Sequence, residues 1–182
     1  MVDQAVRTSP LSGRHGGSAG VRLTPTAPAS RISLRAPDES VAALSSVLGR
    51  TLPTSPKTSA SSGSRVALWL GPDEWLVIDD GTVDLVAVAG GSGLLHSAAD
   101  VSHRNIGIIV SGPDAEACLS AGCPQDLSLA AFPVGACSRT LFGKVEIVLL
   151  RLDAETFRVE CWRSFSEYVF GLLAEAAEDA AH

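Results

Sequence analysis

The stretch RVALWLGPDEWLVIDDG, residues 65–81, places two apolar runs on either side of a short turn. Pro72 and Asp73 suit the centre of a type I turn, so the sequence predicts a β-hairpin. A strand with one buried face alternates apolar with polar residues. The runs LWL and WLVI do not alternate, and neighbouring residues of a strand point to opposite faces. Both faces of this hairpin are therefore predicted to be covered.

The same continuous apolar pattern occurs in IGIIV, residues 106–110, and in EIVLL, residues 146–150. Two arrangements explain it. In the first, two sheets of one chain stack on each other and bury their inner faces. In the second, a partner protein covers the second face or the edge of a sheet. Continuous apolar strands indicate burial without distinguishing these arrangements, so the sequence leaves both open.

A strand, a Pro-Asp pair, a helix and a hairpin occur twice in the same order. The first strand is RISLRA, residues 31–36, and the second lies within RNIGIIVSG, residues 104–112. Asp38 is the predicted N-cap of the first helix, and Gly49 its predicted end. The sequence thus predicts an α+β fold made of internally duplicated β-α-β-β (ferredoxin-like) halves with mostly antiparallel sheets.

Low-complexity segments set the predicted boundaries. Residues 1–30 are rich in Gly, Ser and Pro and are predicted to form a flexible N-terminal arm. Residues 31–182 are predicted to form one domain of two similar halves, about 31–100 and 101–182. The Ser-rich stretch at 53–64 is predicted to be a flexible surface loop.

A final amphipathic helix is predicted to begin near Arg163. Apolar residues recur along it at helical spacing, which indicates one buried face. The predicted buried stripe contains Phe165, Tyr168, Val169, Leu172 and Leu173.

The composition excludes several classes of protein. Of the 182 residues 46% are hydrophobic and 19% charged, which suffices for one compact core. The net charge of -6 and the scattered basic residues argue against nucleic-acid binding. Apolar runs are too short to span a bilayer, and the N-terminus lacks the apolar core of a signal peptide. The protein is therefore predicted to be cytoplasmic, with no membrane or nucleic-acid partner.

The cysteines form no C-x-x-C pair. In a cytoplasmic chain they are predicted to be reduced, partly buried small hydrophobic residues rather than metal ligands or redox groups. They are Cys118, Cys123, Cys137 and Cys161.

The sequence contains no convincing catalytic, cofactor-binding or metal-binding motif. DVSHR, residues 100–104, contains Asp, Ser and His, but adjacent strand residues cannot meet as a triad. A strand end with local hydrogen bonds is the preferred interpretation. GGSG, residues 90–93, lacks the spacing of a dinucleotide or phosphate loop. His96, His103 and Asp100 lack further support as a metal site. We therefore predict no catalytic, cofactor-binding or metal-binding residue in this chain.

Tryptophan and arginine are enriched at protein interfaces, because each combines a flat surface with polar contacts. Ordinary core and surface positions are the default interpretation for both residue types. The candidate interface residues are Trp69, Trp75, Arg104, Arg139, Trp162 and Arg163.

Five stretches in one order resemble the gamma subunits of heterotetrameric sarcosine oxidase. They are LWLGPDEWLVI, DVSHR, SGPDAEACLSAGCPQDL, AFPVGACSRTLFGKVEIVLLR and FRVECWRSFSEYVFGLL. The resemblance covers nearly the whole chain, and LGPDEW, FPVG and WRSF are specific in combination. It implies a fold similar to part of the folate-binding domain of the glycine cleavage T protein.

The resemblance also implies a function. The family's enzyme demethylates sarcosine oxidatively to glycine, forms hydrogen peroxide and passes the one-carbon unit to tetrahydrofolate. It implies alpha, beta and delta subunits as partners, chiefly alpha, with FAD, FMN, NAD, tetrahydrofolate and zinc in those other subunits. This chain would be a non-catalytic assembly subunit. The alternative is a free-standing folate-binding protein that acts in aminomethyl transfer.

Overall fold

The computed structural model of the protein describes residues 9–181. Within these residues the chain forms two antiparallel sheets flanked by helices. The strands are β1 Gly16–Gly17, β2 Arg22–Pro25, β3 Ser30–Arg35, β4 Ser59–Ser62, β5 Arg65–Gly71, β6 Glu74–Asp79, β7 Ser97–Asp100, β8 Asn105–Ser111, β9 Cys137–Phe142, β10 Val145–Arg151 and β11 Thr156–Trp162. The helices are α1 Asp38–Val47, α2 Leu85–Gly90, α3 Ala115–Ser120 and α4 Ser166–Asp179, with a 3-10 helix at Arg163–Phe165.

The two sheets share one plan. The five-stranded sheet has the order β4-β5-β6-β3-β7, and the six-stranded sheet has the order β1-β2-β8-β11-β10-β9. Strands β4, β5, β6 and β3 thus take the places of β9, β10, β11 and β8. Helix α1 follows β3 as α3 follows β8, and α2 follows β6 as α4 follows β11. The predicted α+β fold is confirmed. Each half has a further edge strand and a second helix beyond the β-α-β-β unit, and the second helix of the second half is the predicted final helix.

The inner faces of the two sheets pack on each other. Leu68 and Ile78 of the five-stranded sheet share an apolar cluster with Val148 and Leu150 of the six-stranded sheet. Alternate residues of the same strands point outward. Those of the five-stranded sheet pack against α1 and α2, and those of the six-stranded sheet pack against α3 and α4. The continuous apolar strands are therefore covered on both faces within one chain, as in the first of the two predicted arrangements.

The local signals of the first half are mostly confirmed. Strands β5 and β6 form the predicted hairpin, with Gly71 paired to Glu74 across the turn. Gly49 follows α1 with a φ of 60°, a conformation that glycine adopts without strain. The predicted N-cap is wrong by one residue. Pro37 takes the N-cap position, and Asp38 is the first residue of α1, where its charge favours the helix dipole.

The flexible arm predicted for residues 1–30 is wrong for residues 9–30, and its first eight residues lie outside the described part of the chain. Strand β2 pairs with β8 along Arg22–Pro25. Leu11, Val21 and Leu23 are buried in the core beneath α4. Local composition gave no sign of this order, because the segment is held by tertiary contacts and not by its own propensity.

Two further predictions need correction. The loop predicted at 53–64 contains strand β4, which pairs with β5 along Ser59–Ser62 and forms an edge of its sheet. In the final helix, Phe165 and Tyr168 are exposed. The 3-10 turn that precedes α4 shifts the helical phase, and the residues buried on α4 are Ser166, Val169, Phe170, Leu173, Ala176 and Ala177.

A charged network lies buried between the sheets. The Glu160 carboxylate accepts hydrogen bonds from Arg31 Nε at 2.7 Å and Arg31 Nη2 at 3.0 Å. It also accepts one from Arg158 Nε at 2.9 Å. Arg158 Nη1 extends the network to Asp80 at 3.1 Å. Because Arg31 belongs to one sheet and Glu160 to the other, this network fixes how the two sheets face each other.

No helix within residues 9–181 is long and apolar enough to cross a membrane.

Candidate interface at the end of the six-stranded sheet

Trp162 is the last residue of β11, and its side chain lies on the inner face of the six-stranded sheet. Arg158 and Glu160 precede it on that face and are buried between the sheets. Trp162 lines the mouth of a narrow groove with Leu76 and Ser33 of the opposite sheet. The five-stranded sheet does not cover it, so Trp162 is 43% exposed.

Arg104 lies directly against Trp162. Its guanidinium carbon is 5.1 Å from the centre of the Trp162 ring, which is within the range of a cation–π contact. The backbone N–H of Arg163 donates to the carbonyl of Arg104 at 2.6 Å. This bond extends the β8–β11 ladder, in which Trp162 pairs with Asn105, by one further step. The backbones of Arg104 and Arg163 are therefore neighbours at the end of the sheet.

Phe165 extends the aromatic part of this region. Its ring centre is 6.3 Å from that of Trp162, with a tilt of 35° between the rings. Such a tilted pair is a favourable aromatic geometry. Phe165 is 44% exposed. Arg104, Trp162, Arg163 and Phe165 together are called the arginine–aromatic surface below.

Arg139 takes a different role, although it lines the same groove. It forms an ion pair with Glu74 and thereby joins β9 of one sheet to β6 of the other. Arg35 also contacts Glu74, at 3.0 Å. Burial of Glu74 acts to raise the pKa of its carboxyl, but the charges and hydrogen bonds of Arg139 and Arg35 outweigh burial and hold that pKa below its ordinary value. Arg139 is thus already neutralised within the chain.

The two tryptophans of the first hairpin lie away from this surface. Trp75 is 1% exposed and packs in the core beneath α1 and α2. Its indole Nε1 donates to the carbonyl of Pro53 at 2.7 Å. Trp75 is therefore a core residue, and its prediction as an interface residue is wrong. Trp69 pairs with Trp75 across the hairpin and is half-buried against the same core.

The DVSHR stretch serves the fold. Ser102 Oγ accepts a hydrogen bond from the backbone N–H of Arg31 at 2.8 Å. The backbone N–H of Ser102 donates to Asp100 Oδ1, also at 2.8 Å. These contacts hold the end of β7 against β3, which matches the predicted strand end with local hydrogen bonds. The Ser102 hydroxyl is engaged with backbone and not with the imidazole of His103.

The four cysteines are buried free thiols. Burial raises the pKa of Cys118 to about 11 and that of Cys161 to about 12. Burial also raises the pKa of Cys137 to about 12, although a backbone hydrogen bond opposes it. Thiols with such values stay protonated at neutral pH, so these three are poor nucleophiles and poor metal ligands.

Residues 9–181 contain no group of three or more His, Cys, Asp or Glu side chains placed to hold a metal ion. A broad cleft lies between the start of β3 and the loop before α2, and Asp84, Asp100 and Ser102 line it. Arg31 at its floor is turned away into the pair with Glu160.

Comparison with known proteins identifies the family of this chain. The model of the sarcosine oxidase gamma subunit family matches residues 35–179. The chain belongs to the sarcosine oxidase gamma subunit family. Within that family, it is 32% identical over 172 residues to sarcosine oxidase subunit gamma of Corynebacterium sp. strain P-1, covering 91% of this chain and 85% of that protein. It is 33% identical over 175 residues to the subunit gamma of an Arthrobacter species, with the same coverage.

Solved structures agree with the family. A chain of heterotetrameric sarcosine oxidase from Corynebacterium sp. U-96, in complex with pyrrole 2-carboxylate, matches with a TM-score of 0.87. The match has 26% identity and covers 97% of both chains. Aminomethyltransferase T of the glycine cleavage system from Bartonella henselae matches with a TM-score of 0.65 and 14% identity, over 88% of this chain and 50% of that one. The second likeness concerns the fold alone.

The sequence identified three members of the arginine–aromatic surface but missed Phe165 as a contact residue. Arg104, Trp162 and Arg163 were all candidates. Phe165 was assigned to the buried stripe of the last helix, because helical spacing alone does not reveal the preceding 3-10 turn. The available signal was the short spacing, because only Arg163 and Ser164 separate the predicted end of the strand at Trp162 from Phe165, which is too few residues to fix the phase of the following helix.

Proposed function

We propose that this chain is the gamma subunit of a heterotetrameric sarcosine oxidase and that it serves the assembly of the complex. One observation carries the proposal: the chain matches a chain of such an enzyme over 97% of both lengths, with a TM-score of 0.87. A likeness over nearly the full length of both chains supports an equivalent place for this chain in a complex of that kind.

The proposed complex demethylates sarcosine oxidatively to glycine, forms hydrogen peroxide and passes the one-carbon unit to tetrahydrofolate. Its alpha, beta and delta subunits are the proposed partners, with alpha as the main contact. FAD, FMN, NAD, tetrahydrofolate and zinc are assigned to those subunits. The cytoplasmic location expected from the sequence stays a prediction.

The non-catalytic role is supported by what the reactive side chains of this chain do. Ser102 is hydrogen-bonded to the backbone of Arg31. The raised pKa values of Cys118, Cys137 and Cys161 keep these thiols protonated. The buried carboxylate of Glu160 is saturated by two arginines. Each group contributes to the fold, so the chemistry is assigned to other chains.

Co-expression tests this proposal. A tagged copy of the chain is produced with the genes for the other three subunits and purified through its tag. We expect a flavin-containing complex with one copy of each subunit, measured by native mass spectrometry and visible absorbance. A matched preparation that lacks only this chain is expected to lose flavin and large subunit during gel filtration.

Two results would contradict the proposal. In one, the tagged chain elutes alone while the other subunits form a stable, active enzyme without it. In the other, the isolated chain binds tetrahydrofolate and supports aminomethyl transfer, as expected for a free-standing folate-binding protein. Isothermal titration of tetrahydrofolate into the purified chain separates the second result from simple failure of assembly.

A further inference from the structure

Three exposed arginines in the described residues are neutralised within the chain. Arg14 pairs with Glu167, Arg35 with Asp73 and Glu74, and Arg139 with Glu74 and Glu146. Arg22, Arg104 and Arg163 differ, because none of them forms a salt bridge with any residue in 9–181. Of these three, Arg104 and Arg163 are neighbours, joined by a backbone hydrogen bond. These two adjacent cations thus lack a carboxylate partner on a protein whose net charge is -6.

Two carboxylates near this surface contact other arginines. Glu146 is on the strand next to Trp162, and its Oε1 is 3.9 Å from Arg139 Nε. Glu167 is two residues beyond Phe165, and its Oε1 is 3.8 Å from Arg14 Nη2. The arginine–aromatic surface therefore combines exposed apolar area with positive charge that the chain itself does not balance.

We propose that the arginine–aromatic surface docks another subunit of the complex through a segment in which an apolar side chain lies between carboxylates. This inference rests on the proposed function, because the occupant is a subunit of that complex. Charge complementarity favours an acidic segment as the occupant of this surface. The two unpaired arginines attract its carboxylates, whereas the rest of the chain, which is acidic, repels them. Arg22, Lys57 and Lys144 are also exposed and form no salt bridge within residues 9–181, but none of them makes an aromatic contact like that of Arg104 with Trp162.

The geometry is prepared for such a contact. The Trp162 ring holds the guanidinium of Arg104 in place, so less side-chain freedom is lost when a carboxylate binds. Phe165 beside Trp162 supplies flat apolar area at low entropic cost. Tryptophan and arginine are the residues that most often dominate binding energy at interfaces. Trp162 and Arg104 are therefore the expected centre of the contact.

The experiment uses the full complex, co-expressed and captured through a tag on this chain. Arg104→Glu/Arg163→Glu reverses both charges, and Trp162→Ala removes the ring. Arg22→Glu is the matched control, because Arg22 is also exposed and forms no salt bridge within residues 9–181. We expect the double variant to lower recovery of the other subunits at least about tenfold, and Trp162→Ala about tenfold. Arg22→Glu is expected to recover them as the wild type does.

Salt supplies a second measurement on the wild-type complex. Dissociation of this chain, followed by native mass spectrometry, is expected to increase as sodium chloride rises from about 0.05 to 0.5 M, because exposed charge pairs are screened. Arg163→Gln is expected to reduce that dependence, with Arg22→Gln as its control. Thermal unfolding of each isolated variant shows whether that variant still folds. If a variant is misfolded, the salt dependence of the wild-type complex tests the proposal in its place.

The outcomes separate the two proposals. If the wild type recovers the other subunits and the double variant does so equally well, this inference is overturned while the proposed function stands. If the wild type recovers none, the proposed function itself fails. If the isolated wild-type chain dimerises in sedimentation experiments and Arg163→Glu abolishes the dimer, the occupant is a second copy of this chain, which also overturns the inference.

Discussion

Trp75→Ala is expected to lower the free energy of unfolding of the isolated chain by about 3–5 kcal/mol, the range found when a large buried aromatic residue is truncated. Trp75 is 1% exposed and lies in the core between the five-stranded sheet and its helices. The substitution also leaves the Pro53 carbonyl without its indole donor. Urea denaturation at equilibrium, with wild type and variant side by side, measures the change.

Trp162→Ala is the matched control for this prediction. It removes the same side chain from a 43% exposed position at the end of a strand, so we expect a loss of about 1 kcal/mol or less. Trp75→Phe separates the contribution of apolar burial from that of the hydrogen bond, because it keeps much of the apolar volume and removes the indole donor. An equal loss of stability for Trp75→Ala and Trp162→Ala would place Trp75 outside the core and contradict the fold described above.

Glu160→Gln is expected to destabilise the chain by about 3–5 kcal/mol, because it leaves the buried Arg31 without its counter-charge and leaves Arg158 with Asp80 alone. The side chains of Arg31 and Arg158 are 2% and 8% exposed. Both oxygens of Glu160 accept hydrogen bonds, whereas glutamine offers one oxygen and turns an N–H group toward a guanidinium. Equilibrium urea denaturation again gives the change in free energy.

Asp73→Asn provides the control for the charged network. It breaks the exposed pair with Arg35, in which both side chains are more than half exposed. Pairs of that kind contribute about 0–1 kcal/mol, so the control is expected to unfold almost as the wild type does. A loss below about 1 kcal/mol for Glu160→Gln would contradict a dry, charged contact between the two sheets and would indicate that water reaches Arg31.

The hairpin at 65–81 shows what the sequence was able to predict. Its apolar residues occupy consecutive positions, which requires cover on both faces, and the structure provides that cover with helices on one side and the second sheet on the other. The sequence alone left a partner protein as an equal explanation. The sequence of a single strand does not reveal which segment or chain covers its faces, because its burial depends on a distant segment that packs against it.

Residues 9–30 show where prediction from local composition fails. Glycine and proline indicate a flexible segment, yet Val21 and Leu23 are buried and β2 forms four pairs with β8. The order of this segment comes from a partner strand that is more than 80 residues away in the chain (105 minus 22 is 83). Strand propensity is weak relative to such tertiary contacts, so the local pattern was misleading.

The candidate interface residues were predicted from residue type. Only the structure shows which of them are exposed and unpaired and which are buried or already paired. Trp75 and Trp162 both belong to apolar strands, but Trp75 is buried under a helix, whereas Trp162 lies at a strand end that the opposite sheet does not cover. Arg139 and Arg163 look alike in sequence, although Arg139 pairs with Glu74 and Arg163 does not pair within residues 9–181. The exposure of a side chain and its ion pairs depend on the fold and cannot be deduced from residue type alone.

The central claim, that this chain supports assembly and not chemistry, is tested most directly by turnover of the purified intact complex carrying Asp100→Asn/His103→Ala. These two residues belong to the stretch that most resembles a catalytic motif. For complexes matched in flavin content and subunit composition, we predict a kcat for sarcosine oxidation within about twofold of the wild type, because no proton transfer is assigned to this chain. A fall of about 100-fold or more, the usual effect of removing a general acid or base, would contradict the claim and place this subunit in the chemical step.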